Sequence, residues 1–162
     1  MYAAQNTTLP RQADTQLFNP VHSDAYEIGE GFSTRIPIES TEDIVTARKA
    51  GRLLAQELGF STSRSTLVTT VISELARNIV LYADAGEVIL SRIDKGSLEG
   101  IRIIASDHGP GIANVQHALM GGVSTSGGLG LGLTGVKQLA DEFEVTSSPG
   151  IGTTVIVSIW RH

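Results

Sequence analysis

Three short segments in fixed order constrain this chain more than anything else in it: Glu74-Leu-Ala-Arg-Asn78, Asp107-His-Gly109-Pro-Gly111 and Gly128-Leu-Gly130-Leu-Gly132-Leu. The first puts a carboxylate and an amide one helical turn apart. The second ends the apolar run Ile101–Ala105 with an acid and two glycines. The third opens a helix with backbone amides that no side chain obstructs, an arrangement that receives anions. Together they are the parts needed to hold a metal, a purine ring and a polyphosphate.

The first segment sits on a helix expected to start after Thr62 or Ser63 and to reach Tyr82. On a wheel at 3.6 residues per turn, Val68, Ile72, Leu75 and Ile79 fall within about 60° and form the core stripe. Leu67, Val71, Glu74 and Asn78 form a second stripe roughly 100° away. Glu74 and Asn78 therefore sit beside the core, while Arg77 points away from it. A carboxylate on such a flank costs free energy unless something pairs with it. Asn78 offers a carbonyl oxygen, a suitable hard ligand for Mg²⁺. Glu74 can accept a proton from a nucleophile or hold metal-bound water. The plainer alternative is a surface glutamate paired to Arg77.

Asp107 stands just past the C-terminal end of an apolar strand, where a buried carboxylate can accept from an exocyclic amine and so select adenine over guanine. Gly109 and Gly111 allow the chain to pass close under a flat ring. An ordinary Asp-x-Gly turn explains the same residues. The chain has 18 glycines, crowded between Gly109 and Gly135. Gly130, Gly132 and Gly135 lie in or just before a helix, where each costs ~1 kcal/mol relative to alanine. That cost is tolerable where the backbone must approach a ligand closely.

Two better-known phosphate motifs fail on context. Gly130-x-Gly132-x-x-Gly135 matches the dinucleotide fingerprint, but loop residues Ser124-Thr-Ser-Gly-Gly128 precede it and no acid follows Glu144. No lysine follows the glycines as a P-loop requires. His22, His108, His117 and His162 show no metal-ligand spacing, and no Gly-x-Ser-x-Gly elbow is present.

Residues 1–33 carry no sustained periodicity and read as a flexible arm, with Leu17-Phe18 as a potential docking segment. Residues 34–162 read as one domain. The pattern predicts a strand at Thr34–Ile38 and a helix from about Thr41 to Gly59, capped by Ser40 or Thr41. It predicts a hairpin of Glu87–Ile93 and Ile101–Ser106 turning at Asp94-Lys-Gly96, and a short helix at Asn114–Met120. A loop over Gly121–Gly128, a helix from Leu129 to Phe143, and strands Glu144–Ser148 and Thr153–Trp160 complete it. Hairpins outnumber parallel crossovers, so the fold class is an α/β sandwich, a mostly antiparallel sheet with helices on one face.

Charge and composition exclude several roles. A net charge of −5 without a basic run argues against nucleic acid. No apolar run approaches the ~20 residues that span a bilayer, and no signal segment is evident. The absence of cysteine excludes a thiolate metal site and suits a reducing cytoplasm.

The three segments resemble the N-box and two glycine boxes of the ATPase/kinase superfamily that includes gyrase B, the Hsp90 chaperones, histidine kinases and MutL. The likeness covers residues 34–162. Ser73-Glu-Leu-Ala-Arg-Asn78 and Ser124-Thr-Ser-Gly-Gly-Leu-Gly130 look most like the RsbT-type serine kinases of bacterial stress signalling, relatives of the anti-sigma kinases. The resemblance implies a Bergerat-type ATP-binding fold. It implies that Asn78 holds Mg²⁺, that Glu74 is the general base, and that Asp107 receives the adenine amino group beside Thr153. It implies that Gly109, Gly111, Ile112, Ser126, Gly128, Leu129, Gly130, Leu131 and Gly132 shape the nucleotide pocket. It further implies transfer of the ATP γ-phosphoryl to a STAS-domain antagonist protein, and activation of a PP2C-type phosphatase by binding.

The expected lid, Ile112–Gly128, has no Lys or Arg, so Ser124, Thr125, Ser126 and backbone amides would meet the phosphates, with Lys137 only if it turns inward. Slow turnover without a partner is the expectation. Two other functions fit the same segments: an anti-sigma factor kinase that holds a sigma subunit, and a nucleotide-gated binding module with little catalysis. A histidine-kinase fragment fits poorly, because no helix presents a phospho-accepting histidine.

Overall fold

The computed structural model describes residues 33–120 and 131–162. In chain order these form β1 (Ser33–Ile38), α1 (Thr41–Glu57), α2 (Thr62–Tyr82), β2 (Gly86–Lys95), β3 (Leu98–Asp107), α3 (Val115–Leu119), α4 (Gly132–Leu139), β4 (Glu142–Ser148) and β5 (Gly152–Trp160). The arm before Ser33, its Leu17-Phe18 pair, and the lid positions Ser124, Thr125, Ser126, Gly128, Leu129 and Gly130 lie outside the described residues.

All strand pairs are antiparallel, in the order β1-β2-β3-β5-β4. The alternation of buried and exposed residues decides which face is covered. Ile36, Val88, Ala105 and Val155 share one register row; Leu90, Ile103 and Val157 share the next. These pack with Val68, Val71, Ile72, Leu75 and Ile79 of α2, and with Ile44, Ala47 and Ala55 of α1, in one apolar core. The helices thus lie on one face of an α/β sandwich, as the hairpin pattern implied.

Helix starts follow their caps. Asp43 bonds the main-chain N–H groups of Glu39 and Ser40 at 3.0 and 2.9 Å, fixing the first turn of α1. Ser61, not Thr62 or Ser63, caps α2 by accepting from Arg64 N at 3.2 Å. The β2–β3 turn falls at Gly96-Ser97, later than Asp94–Gly96, since Lys95 still pairs with Leu98. Gly96 has φ +64°, which suits a tight hairpin.

One helix is shorter than expected. The spacing predicts helix from Leu129 to Phe143, but α4 ends at Leu139 and Glu142 already pairs with Ser158. The cause is tertiary. Asp141 N donates to Ser158 O at 3.1 Å, and Asp141 Oδ2 accepts from Trp160 N at 2.7 Å. The Arg64 guanidinium joins the same carboxylate and also donates from Nε to Trp160 O at 2.9 Å. Sheet pairing with β5 satisfies backbone groups that a longer helix would have satisfied internally.

Candidate functional site

Glu74 lies on α2 and is only 7% exposed. Its Oε1 accepts from Arg77 Nη1 at 2.8 Å, and its Oε2 accepts from the main-chain N of Leu131 at 3.1 Å. The pairing with Arg77 therefore exists, yet the carboxylate is not on the surface: Arg77 reaches in from an exposed position. Leu131 is the N-cap of α4, so the negative charge of Glu74 faces the helix end that favours anions. Asn78 follows one turn later, half-buried, with no side-chain hydrogen bond among the described residues.

The second group forms around the end of β3. Asp107 pairs in register with Gly86 and Thr153. Its Oδ1 accepts from Gly109 N at 2.8 Å and Thr153 N at 3.3 Å, while Oδ2 has no partner among the described residues. A turn hydrogen bond thus fixes the carboxylate, and one oxygen is left for a donor. Ser147, which the sequence did not single out, joins the neighbouring strands: its Oγ accepts from Ile112 N at 2.8 Å, donates to Gly152 O at 3.0 Å and lies 2.9 Å from Thr153 Oγ1. A serine beside a Ser-Pro-Gly turn gives no hint of this in sequence.

Two of the glycines are required by close approach. A Cβ on Gly109 would lie 2.6 Å from Ala83 Cβ, at the end of α2. Gly111, at φ +70°, packs so tightly on the Ser148 carbonyl that any side chain would overlap it. Their nearest constraint is the protein itself, the Ala83 Cβ for Gly109 and the Ser148 carbonyl for Gly111. Gly150 N donates to Pro110 O at 2.8 Å, which completes the seam between this loop and the β4–β5 turn.

The two groups meet at the C-terminal end of α2. A Cβ on Gly86 would lie 2.9 Å from Ile79 and 3.1 Å from Asp107 Cβ, so the residue after Asn78 is within reach of the strand that carries Asp107. Gly109 against Ala83 and Gly86 against Ile79 and Asp107 thus bring the Asp107 turn to the end of the helix that carries Glu74 and Asn78. Gly132 has φ +60° and nothing within 4 Å of its Cβ position. Thr134 holds α4 against α3 through Ala118 O and Leu119 O at 3.3 and 3.1 Å. Lys137 is exposed. A separate groove of about 470 Å³ between α1 and α2, lined by Arg48, Lys49 and Arg52 among others, contains none of these site residues.

Among the described residues no group of three His, Cys, Asp or Glu side chains converges. Mg²⁺ is commonly held by one or two protein oxygens together with substrate phosphates. The Asn78 oxygen is suited to that role, and Asp107 Oδ2 to an exocyclic amine.

Residues 63–162 match the family described as histidine kinase-, DNA gyrase B-, and HSP90-like ATPase. Over 118 residues the chain is 49% identical to the serine/threonine-protein kinase RsbT of Bacillus subtilis, covering 73% of this chain and 89% of that protein. It is 32% identical over 115 residues to the anti-sigma F factor of Halalkalibacterium halodurans, covering 66% of this chain and 76% of that one. The crystal structure of the RsbU and RsbW domains of a Mycobacterium tuberculosis protein aligns with a TM-score of 0.57 at 18% identity. That alignment covers 81% of this chain but 33% of the other, and it speaks for the fold alone. The chain belongs to the histidine kinase-, DNA gyrase B- and HSP90-like ATPase family, and within it to the ATP-using serine/threonine protein kinases that resemble RsbT.

Proposed function

We propose that residues 34–162 form a cytoplasmic kinase domain that transfers the γ-phosphoryl of Mg-ATP to a serine or threonine of a STAS-domain antagonist in a bacterial partner-switching pathway. The observation that carries this reading is the buried Glu74 carboxylate, one turn from Asn78 and bonded to the start of α4. Each carboxylate oxygen has a second acceptor site, so Glu74 can still receive the proton of an incoming hydroxyl. The hydroxyl oxygen bonds to the γ-phosphorus, the bond to the β–γ bridging oxygen breaks, and ADP leaves. Bound Mg²⁺ would neutralise charge on the phosphate oxygens, with Asn78 as its protein ligand. Asp107 Oδ2 would accept from the adenine amine, beside Thr153. Gly109, Gly111, Ile112, Ser126, Gly128, Leu129, Gly130, Leu131 and Gly132 would border the nucleotide.

The STAS substrate comes from the likeness to RsbT-type kinases, and so does activation of a PP2C-type phosphatase by binding. The relative named an anti-sigma F factor supports a second reading, in which the chain also holds a sigma subunit. One experiment separates these. The chain is incubated with Mg-ATP, candidate STAS proteins and candidate sigma factors, bound proteins are recovered by pull-down, and phosphate is mapped by mass spectrometry. Phosphoserine or phosphothreonine on the STAS protein, lost with Glu74→Ala, is the expected result. Binding without transfer would overturn the kinase reading, and retention of a sigma factor would favour the second.

A further inference from the structure

Arg77 stands apart from the other paired cations of the described residues. Arg35, Arg64, Arg92, Lys95 and Arg161 meet carboxylates whose side chains are at least 25% exposed. Exposed pairs of that kind contribute little to stability. Arg77 instead meets Glu74, whose side chain is 10% exposed, at 2.8 Å. Its own side chain is 46% exposed, so it runs from solvent to a carboxylate in the interior.

The helix makes that reach natural. Long side chains on an α-helix lean toward its N-terminus, over the residues three and four positions earlier. Position 77 therefore overlies position 74, while Asn78 continues the stripe of Glu74 itself. Arginine suits the place because its charge persists in proteins and its planar fork fixes direction as well as distance.

Glu74 is held by two elements, one at each oxygen. Arg77, on the same helix, donates to Oε1, and the main-chain N of Leu131, at the start of α4, donates to Oε2. The terminal torsion of a glutamate is soft, so a single donor leaves the carboxylate free to turn. Two donors on separate oxygens fix its plane. Among the described residues no other cation forms an ion pair with this carboxylate.

We propose that Arg77 is a positioning residue for phosphoryl transfer, holding the Glu74 carboxylate in the orientation that receives the hydroxyl proton. The role rests on Glu74 being the base. Arg77 acts through its bond to Oε1 and needs no contact with nucleotide or acceptor. Each oxygen keeps a second acceptor site for the incoming group. A carboxylate released from Arg77 turns away from the hydroxyl for much of the time, so transfer slows while ATP still binds.

The full chain is tested with Mg-ATP alone, water taking the place of the protein hydroxyl and yielding ADP and phosphate. Radiolabelled ATP under single-turnover conditions gives the rate, and circular dichroism checks that each variant is folded. Arg77→Met should slow the reaction by roughly ten- to hundredfold, a part of what a positioned base contributes. Its ATP affinity by calorimetry should stay within about twofold of the parent, since uniform binding is not lost. If Arg77→Met fails to fold, Arg77→Lys replaces it, keeping the charge without the directed fork and losing rate several-fold. In a double-mutant cycle, Glu74→Gln/Arg77→Met should be no slower than Glu74→Gln. Low-millimolar ethylguanidinium should speed Arg77→Ala several-fold and leave Glu74→Gln/Arg77→Ala unchanged.

A parental rate in Arg77→Met, with Glu74→Gln impaired, would overturn the positioning role and spare the base reading. A further loss in the double variant would also overturn it, because Arg77 would then act without Glu74. Rate loss matched by lost ATP affinity would assign Arg77 to nucleotide binding instead. A parental rate in Glu74→Gln would remove the base, and the positioning role with it.

Discussion

The Glu74 carboxylate and the Leu131 amide, 57 residues apart in sequence, are joined by a 3.1 Å hydrogen bond that links α2 to the start of α4. The same carboxylate takes Arg77 on its other oxygen. A group proposed for proton transfer is therefore also a structural tie, and the two roles can be separated. Glu74→Gln keeps an oxygen for Leu131 but has no carboxylate to take a proton; Glu74→Ala removes both. The alanine variant should lose about 1–2 kcal/mol of stability, the range for a part-buried amide left without its acceptor. The glutamine variant should lose less, while phosphoryl transfer falls in both. Urea unfolding and a transfer assay measure the two effects; full transfer by Glu74→Gln would exclude it as the base.

Asp107 should show the opposite division. Its Oδ1 organises Gly109 and Thr153, whereas Oδ2 has no partner among the described residues. Asp107→Asn retains one acceptor oxygen for the turn but places an amide donor toward the proposed adenine amine. We expect ATP affinity to fall at least tenfold with only a small change in unfolding midpoint. Calorimetric titration with ATP checks this, and unchanged affinity would remove Asp107 from the nucleotide site.

Glycines that look alike in sequence differ sharply in space. Gly111 and Gly150 both have positive φ, +70° and +74°, but only Gly111 is pressed against a carbonyl, that of Ser148. Gly150→Ala should cost about 1–2 kcal/mol, the strain of a left-handed residue. Gly111→Ala adds overlap with rigid backbone, for a total of roughly 2–5 kcal/mol. Unfolding midpoints of the two variants decide it, and equal losses would refute the packing argument.

A pH effect should arise at the start of α1. The Glu39 main-chain N–H, followed by the Ser40 hydroxyl, holds the Asp43 carboxyl below its ordinary value. A carboxyl with a depressed folded pKa adds stability above its unfolded value and loses it as pH falls through the folded one. Asp43→Asn should thus be less stable than the parent at pH 7, and the gap should close below roughly pH 4, under the usual aspartate range. Paired urea titrations at pH 7 and pH 3 test this; a gap that widened in acid would contradict it.

Local chemistry made much of this protein legible. The apolar stripes on α2 place Glu74 beside the core before any coordinates are needed, because helical period alone assigns the face. Strand alternation and turn residues imply the antiparallel sheet, and the Ser40 cap marks the start of α1. What sequence does not carry is the meeting of distant parts. That Leu131 satisfies Glu74, that Ser147 ties Ile112 to the start of β5, and that α4 stops at Leu139 because Asp141 binds Trp160 and Arg64 are each set by partners far away in the chain.

The division has a physical cause. Periodicity, caps and glycine positions act within a few residues, so the chain alone determined which elements form, though not where α4 ends, and the residue types available for nucleotide chemistry. Buried hydrogen bonds and close backbone contacts depend on how those elements pack, and burial makes them costly to leave unmade. Tertiary structure therefore decided which oxygens of Glu74 and Asp107 are already engaged, which glycines cannot change, and which face of the sheet meets the helices.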